Sequence, residues 1–152
     1  MSMTISFREI DSENLEDVLN LDVTNNQKEF YTRTNAQSIA EGHYPPDDDP
    51  VWIRAIYSGD TPVGFIMTSE APDQGEYYLW RIMIGAQFQS KGYAEQALKL
   101  LIKRLQDAPN ARALITSHLE ENRYAGKFFE KQGFSYTGEI LGESDRLMEI
   151  NL

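Results

Sequence analysis

The residues with the clearest chemical meaning lie in Gln89-Ser-Lys-Gly-Tyr-Ala94. They sit between the apolar run Arg81-Ile-Met-Ile-Gly85 and the amphipathic stretch Glu95-Gln-Ala-Leu-Lys-Leu-Leu-Ile-Lys-Arg104. A strand, then a turn containing glycine, then a helix start is an order that can hold a pyrophosphate. The first turn of a helix carries unpaired backbone N–H groups and a partial positive charge. Gly92 lets the backbone approach a phosphate without a Cβ, and Ala94 keeps the helix start slim. Lys91 could add charge, although a lysine at a helix start reads equally well as solvated.

Other chemistry is narrowed by what the chain lacks. With no cysteine, disulfides, thiolate metal sites and a cysteine nucleophile are excluded, and two histidines do not make a structural zinc site, so no metal is expected. A net charge of −10, from 24 acidic and 14 basic side chains, opposes nucleic acid and suits a cationic partner, although acidity also serves solubility alone. The beginning, Met1-Ser-Met-Thr-Ile-Ser-Phe-Arg-Glu9, has no basic segment followed by an apolar one, and no apolar run is long enough to span a bilayer. A cytoplasmic protein without a membrane partner is expected.

The supporting elements follow from periodicity. Strands are expected at Thr4–Glu9, Val51–Tyr57, Pro62–Thr68, Glu76–Ile84 and Arg112–Ser117, with a closing hairpin of Phe134–Ile140 and Arg146–Leu152. Gly59-Asp60 is a two-residue hairpin centre. Helices are expected from an Asp11-Ser12 cap to about Leu21, over Ala36–Gly42, over Lys91–Gln106, and over Asn122–Gln132. The last would have Tyr124, Ala125, Phe128 and Phe129 inward and Gly133 as its stop. Val23–Asn35, with Phe30 and Tyr31, has no period. His43-Tyr-Pro-Pro-Asp-Asp-Asp-Pro50 is a loop and the densest negative patch; it reads as a solvated loop or as the rim of a pocket for an amine. Residues 1–152 therefore read as a single mixed α/β (α+β) domain, with a mostly antiparallel sheet of about seven strands and helices on both faces.

The order of elements, the segment Gln89-Ser-Lys-Gly-Tyr-Ala94 and the later Asn122…Phe128-Phe129-Glu-Lys-Gln-Gly-Phe134 together resemble the GNAT (GCN5-related) N-acetyltransferases. Gln89, Gly92 and Ala94 fill that family's Gln/Arg-x-x-Gly-x-Gly/Ala pattern. The six-residue pattern alone is weakly specific; its placement between strand and helix, with the second helix and the Gly-Phe hairpin beyond, makes it strong. Asp60-Thr-Pro-Val-Gly-Phe-Ile-Met67 and Tyr77-Tyr-Leu-Trp-Arg81 look like the spermidine/spermine (diamine) branch.

The resemblance implies acetyl-CoA as cosubstrate, in a cleft between two splayed parallel strands ending at Ile84 and Ser117. Backbone groups of Ile82, Met83 and Ile84 would meet the pantetheine arm. Those of Ser90, Lys91, Gly92, Tyr93, Ala94 and Glu95 would hold the pyrophosphate, with Gln89, Asn122 and Phe129 also at the cofactor. Ser90 stands where many relatives have glycine and should be tolerated if its φ is negative. A small-molecule primary amine, with a polyamine such as spermidine among the candidates, would attack the thioester directly. Its wall would include Trp80, Tyr78 and Glu41, with Arg81 on the other side of the strand, and its loops would span Thr24–Pro50. Sheet edges in the C-terminal hairpin could support a homodimer.

Two positions depart from the family. The helix tyrosine that protonates the leaving thiolate is Phe129 here, and the mid-strand carboxylate that serves as base is Trp80. Three readings follow. A thiol of pKa ~8.5 can leave without a dedicated acid; Tyr124, Tyr77 or Tyr78 can replace the missing donor; or the chain is a non-catalytic acyl-CoA-binding sensor or partner protein. For the base, Glu76, Glu41, His43 and His118 are candidates, each also readable as an ordinary surface residue.

Overall fold

A computed structural model describes residues 4–28, 30 and 33–152; Met1 to Met3 and Tyr31, which entered the sequence reading, lie outside them. Seven strands form one sheet: β1 (Ile5–Arg8), β2 (Val51–Ser58), β3 (Thr61–Ala71), β4 (Glu76–Ile84), β5 (Ala113–Leu119), β6 (Ser135–Leu141) and β7 (Asp145–Asn151), in the order β1-β2-β3-β4-β5-β7-β6. The β4–β5 pair is parallel and every other pair is antiparallel. The helices are α1 (Leu15–Asn20), α2 (Asn35–His43), α3 (Tyr93–Gln106) and α4 (Arg123–Lys131). The expected mixed α/β architecture, with a seven-stranded, mostly antiparallel sheet, is the one observed.

Helices cover both faces because each face of the sheet carries its own apolar set. On one side, Ala97, Leu98, Leu101 and Leu105 of α3 pack with Phe129 of α4 onto Ile56, Ile66, Leu79 and Leu114. Their spacing is the i, i+1, i+4, i+8 of a single helical stripe. Three fully buried leucines at roughly 1.5–3 kcal/mol each outweigh any helix propensity. On the other side, Val18 and Leu21 pack onto Ala55, Phe65, Met67 and Met83.

Several boundaries move for local reasons. Asp11 accepts hydrogen bonds at Oδ1 from the N–H groups of Glu13 and Asn14, so a turn precedes α1 and the helix begins only at Leu15. Of its three spaced apolar residues Val18 alone is buried; Leu15 and Leu19 remain 39% exposed. Strand β3 continues to Ala71 because Ser69, Glu70 and Ala71 still pair with β4. The Gly59–Asp60 hairpin forms as expected, with Ser58 opposite Thr61 and Gly59 at φ 60°.

The feature that makes a site is where the sheet opens. β4 and β5 pair at Glu76↔Ala113, Tyr77↔Leu114 and Tyr78↔Ile115 and then part. Beyond that point β4 stays with β3 to Ile84, and β5 stays with β7 to Leu119. A bulge accompanies the parting: Met67 faces Arg81 but Thr68 faces Leu79, so Trp80 is the extra residue. A bulge adds twist and re-aims side chains. Here it brings two consecutive residues to one face. Trp80 packs on the Met83 core, and Arg81 reaches Asn35 on that same side. This corrects the expectation that Arg81 faces away, which assumed unbroken alternation.

Candidate active site

A cleft of about 870 Å³ runs through the opening between β4 and β5. The splayed pair expected from the sequence, ending near Ile84 and Ser117, is its frame. Two side-chain bridges mark its apex. Thr116 donates from Oγ1 to the Leu79 carbonyl at 3.2 Å, and the Tyr78 and Ser117 hydroxyls share a hydrogen bond of 2.6 Å. They connect the strands beyond the last ladder pair.

One end of the cleft is lined by Asn122, Ala125 and Phe129 of α4 and its cap, and β4 runs on from there to the turn before α3. Gly85 N–H donates to the Val63 carbonyl at 2.8 Å. Antiparallel alternation then turns the peptide groups of Ile84 and Ile82 toward the gap and those of Met83 toward β3. Ile82 lines the cleft; the Met83 side chain is buried in the second core. Met83 is therefore not a backbone contact for a bound arm, contrary to expectation. The Ile84 carbonyl is already taken by Gln89 Nε2 at 2.9 Å.

The cradle itself is a pair of left-handed residues. Ser90 has φ 64° and Gly92 φ 81°, and Gly92 is the N-cap of α3, which starts at Tyr93 rather than Lys91. The condition placed on Ser90 is thus not met. A small non-glycine residue adopts the left-handed conformation here at a cost of roughly 1 kcal/mol. Turns of this kind gather successive N–H groups into an anion-binding concavity. A Cβ on Gly92 would meet nothing nearer than Gln96 Nε2 at 3.8 Å, so the protein does not itself fill that space. Ser90, Lys91 and Gly92 are exposed, Tyr93 and Ala94 half-buried, and Glu95 pairs with Lys99 at 3.2 Å. These residues fit a diphosphate through their backbone.

α4 closes this end. Asn122 caps it, accepting from Ala125 N–H at 3.2 Å. Its far end is a Schellman turn: Phe134 N–H bonds the Phe129 carbonyl at 3.0 Å, Gly133 N–H bonds the Glu130 carbonyl at 3.0 Å, and Gly133 has φ 103°. The hydrophobic contact of that motif is Phe129 against Phe134, with centroids 5.3 Å apart, which seats Phe129 at the cleft wall beside Asn122 and Ala125. Tyr124 is 78% exposed and does not line the cleft. It lies off the Asn122, Ala125, Gly126, Phe129 stripe, so the expectation that it points inward as a proton donor fails.

The other mouth is acidic. It includes Glu41, Asp47 and Asp49, with Arg33 and Arg81 as cations and Phe30, Tyr78 and Trp80 as aromatic wall, while Glu76 at the paired end of β4 and Asp145 opposite Leu119 add carboxylates elsewhere in the cleft lining. Glu41 pairs with Arg33 at 3.1 Å. Glu76 holds Arg112 at 2.9 Å and sits at the paired end of β4. At about 3.3 Å per residue it is ~13 Å from Trp80 along the strand, too far to act as base at the opening. His43 does not line the cleft. His118 is buried, with both ring nitrogens engaged. The Leu119 carbonyl only accepts, so Nδ1–H donates to it at 2.6 Å, and Nε2 shares a hydrogen bond of 2.9 Å with the Tyr136 hydroxyl. His118 is a satisfied core histidine packed under Gly126, not a free base.

Tyr78 is a cleft group with a displaced pKa. Burial pushes it above the usual phenol value, the Ser117 hydrogen bond works in the opposite direction, and the Asp145 carboxylate adds to the rise. Ser117 and Asp145 were not singled out from sequence. Both lie on the same face of β5 and β7, Ser117 opposite Leu147 and Asp145 opposite Leu119, a placement that only strand register supplies.

Known proteins share this architecture. The model of the acetyltransferase (GNAT) family matches residues 14–134. The spermine/spermidine N(1)-acetyltransferase of Bacillus subtilis (strain 168) is 28% identical over 154 residues, 96% of this chain and 97% of that protein. An acetyltransferase structure from Thermus thermophilus covers both chains in full with a TM-score of 0.75 at 20% identity. The spermidine N-acetyltransferase of Vibrio cholerae, solved with CoA and spermine, gives 0.76 at 15% identity over 97% of this chain and 95% of that one.

Proposed function

The chain belongs to the GNAT acetyltransferase family, acetyl-CoA-dependent N-acetyltransferases, and from that premise we propose that its acceptor is a polyamine-like primary amine held in the acidic mouth of the cleft. The observation that carries this reading is the lining of the cleft as a whole, where five carboxylates accompany two guanidinium groups and the wall is aromatic. An ammonium group gains from the carboxylates and from the face of Trp80 or Tyr78. The B. subtilis relative, named for spermine and spermidine, points to the same acceptor class. A non-catalytic acyl-CoA-binding role draws no support from these relatives.

The chemistry is a direct transfer. The neutral amine nitrogen bonds to the thioester carbonyl carbon, the carbon–sulfur bond breaks, one proton leaves the nitrogen and one is delivered to sulfur. The Ile82 peptide, turned toward the gap, is the candidate to polarise the carbonyl. The cleft carboxylates receive the amine proton, directly or through water. The Tyr78–Ser117 hydroxyl pair is the donor on hand for sulfur, since Tyr78 stays protonated. A thiol of pKa ~8.5 asks only modest help.

The test is release of free CoA from acetyl-CoA with spermine, spermidine, neutral monoamines, amino acids, aminoglycosides and peptide N-termini. Polyamines should surpass a neutral monoamine by roughly 100-fold in kcat/KM, the worth of one or two screened ion pairs. Equal rates would remove the acidic mouth from the argument. No turnover with any amine would end the assignment.

A further inference from the structure

The turn that carries the cradle and the loop that leads to the acidic mouth are physically joined, and the joint is Gln89. Its amide has two N–H donors. One goes to the Ile84 carbonyl at 2.9 Å and the other to Gln27 Oε1 at 2.8 Å, so none is left for a phosphate. Gln27 lies in the turn that opens the acceptor loop. Its Oε1 also accepts from Thr24 N–H at 3.3 Å, its own N–H bonds the Thr24 carbonyl at 2.9 Å, and its carbonyl accepts from Phe30 N–H at 2.9 Å. Phe30 and, three residues on, Arg33 both line the acidic mouth. The same segment is anchored again nearby. The Asp22 carbonyl accepts from Ala86 N–H at 2.7 Å, and Leu21 packs so close to Gly85 that a Cβ there would approach it to 2.7 Å. At the other end of the joint, Gln89 immediately precedes Ser90, the first left-handed residue of the cradle.

We infer that Gln89 and Gln27 are positioning residues that carry occupancy of the diphosphate cradle to the acceptor loop, so that cofactor binding and acceptor binding favour each other. A diphosphate on the N–H groups from Ser90 onward holds the backbone at Gln89. That holds the side-chain amide on Gln27, and Gln27 holds the turn from which Phe30 and Arg33 enter the acidic mouth. Coupling of this kind is reciprocal: the factor by which CoA tightens the acceptor is the factor by which the acceptor tightens CoA. The consequence for the acceptor rests on the amine reading of the acidic mouth; the link from cradle to loop does not.

Two readouts separate these. The first is hydrogen exchange of the Thr24–Lys28 amides, with and without CoA, and with pantetheine as the arm lacking the diphosphate. CoA should slow exchange there roughly 5- to 30-fold, a usual coupling size, and pantetheine should not. Gln27→Ala should abolish the slowing while leaving CoA affinity nearly unchanged. Gln27→Glu, which keeps an acceptor oxygen for the Gln89 amide, should retain it. The second readout is calorimetric affinity for spermine, with and without CoA, in the same proteins; it should show the same factor. A loop that ignores CoA in the wild-type chain, or that still responds in Gln27→Ala, overturns the inference. A loop that responds in a protein that binds no spermine leaves the link standing and overturns the amine reading instead.

Discussion

Replacing Gly92 by alanine separates the cost of a backbone conformation from the loss of a ligand site. Gly92 has φ 81°, where an L-residue pays roughly 1 kcal/mol. A Cβ there would stand 3.8 Å from Gln96 Nε2, ordinary contact, so no packing penalty adds to it. For a chain of this size, ~1 kcal/mol is a fall of about 2–4 °C in melting temperature. The new methyl group points into the space the protein leaves open, where a bound diphosphate would approach the backbone. Calorimetry with CoA should then show at least about tenfold weaker binding, or ~1.4 kcal/mol, beyond the stability loss. Gly92→Asp should be worse because it adds a negative charge. Ser90→Gly is the opposite control. Glycine relieves the strain at φ 64°, offset in part by its larger unfolded-state freedom, so stability should hold or rise by up to about 1 kcal/mol with CoA affinity kept. If Gly92→Ala lost the expected few degrees yet bound CoA as tightly as the parent, the cradle would not be the phosphate site.

Tyr78→Phe tests the proton path and a stability effect together. Loss of one mostly buried hydroxyl costs about 0.5–1.5 kcal/mol if the pair is only structural, whereas loss of a proton donor lowers kcat by roughly 100-fold or more with the KM for acetyl-CoA unchanged. Unchanged kcat would assign Tyr78 to structure. Because burial raises the Tyr78 pKa in the folded state, its stabilising share is complete below the unfolded value of about 10 and is lost as pH rises from there through the folded value. Alkaline denaturation should therefore start later in Tyr78→Phe than the parent's slope predicts. Gly126→Ala should destabilise by roughly 1–3 kcal/mol despite alanine's better helix propensity, because its Cβ would come within 2.5 Å of Tyr136 Oη and 3.0 Å of His118 Nε2. Adding Tyr136→Phe removes the nearer atom, and thermal melts should show part of the loss recovered; additive losses would mean that α4 simply shifts.

Much of the machinery was legible in the chain because it is local. The left-handed stop at Gly133, the Gly59–Asp60 hairpin and the amphipathic helix that ends at Gln106 depend on neighbours within a few positions, and each formed where its spacing put it. The strand–turn–helix order around Gln89–Ala94 is of the same kind. The acidic loop was visible as composition, and Asp47 and Asp49 do face the cleft.

What failed depended on long-range register. Alternation sent Arg81 away from Trp80, but a bulge against Met67 and Thr68 turned both to one side. A helical stripe widened by one residue took Tyr124 inward, while close approach of Gly126 to His118 and Tyr136 set the rotation that leaves it in solvent. The same approach buried His118 and satisfied both its nitrogens. Ser117 and Asp145 acquire meaning only because β5 and β7 lie side by side, and Gln89 meets Gln27 across 62 positions. The chain by itself thus determined which backbone could cradle a diphosphate, since turn and helix-start conformations are set by nearby residues. Only the tertiary structure decided which side chains reach the opening between β4 and β5, because a single bulge or a single close helix contact changes the face of every residue beyond it.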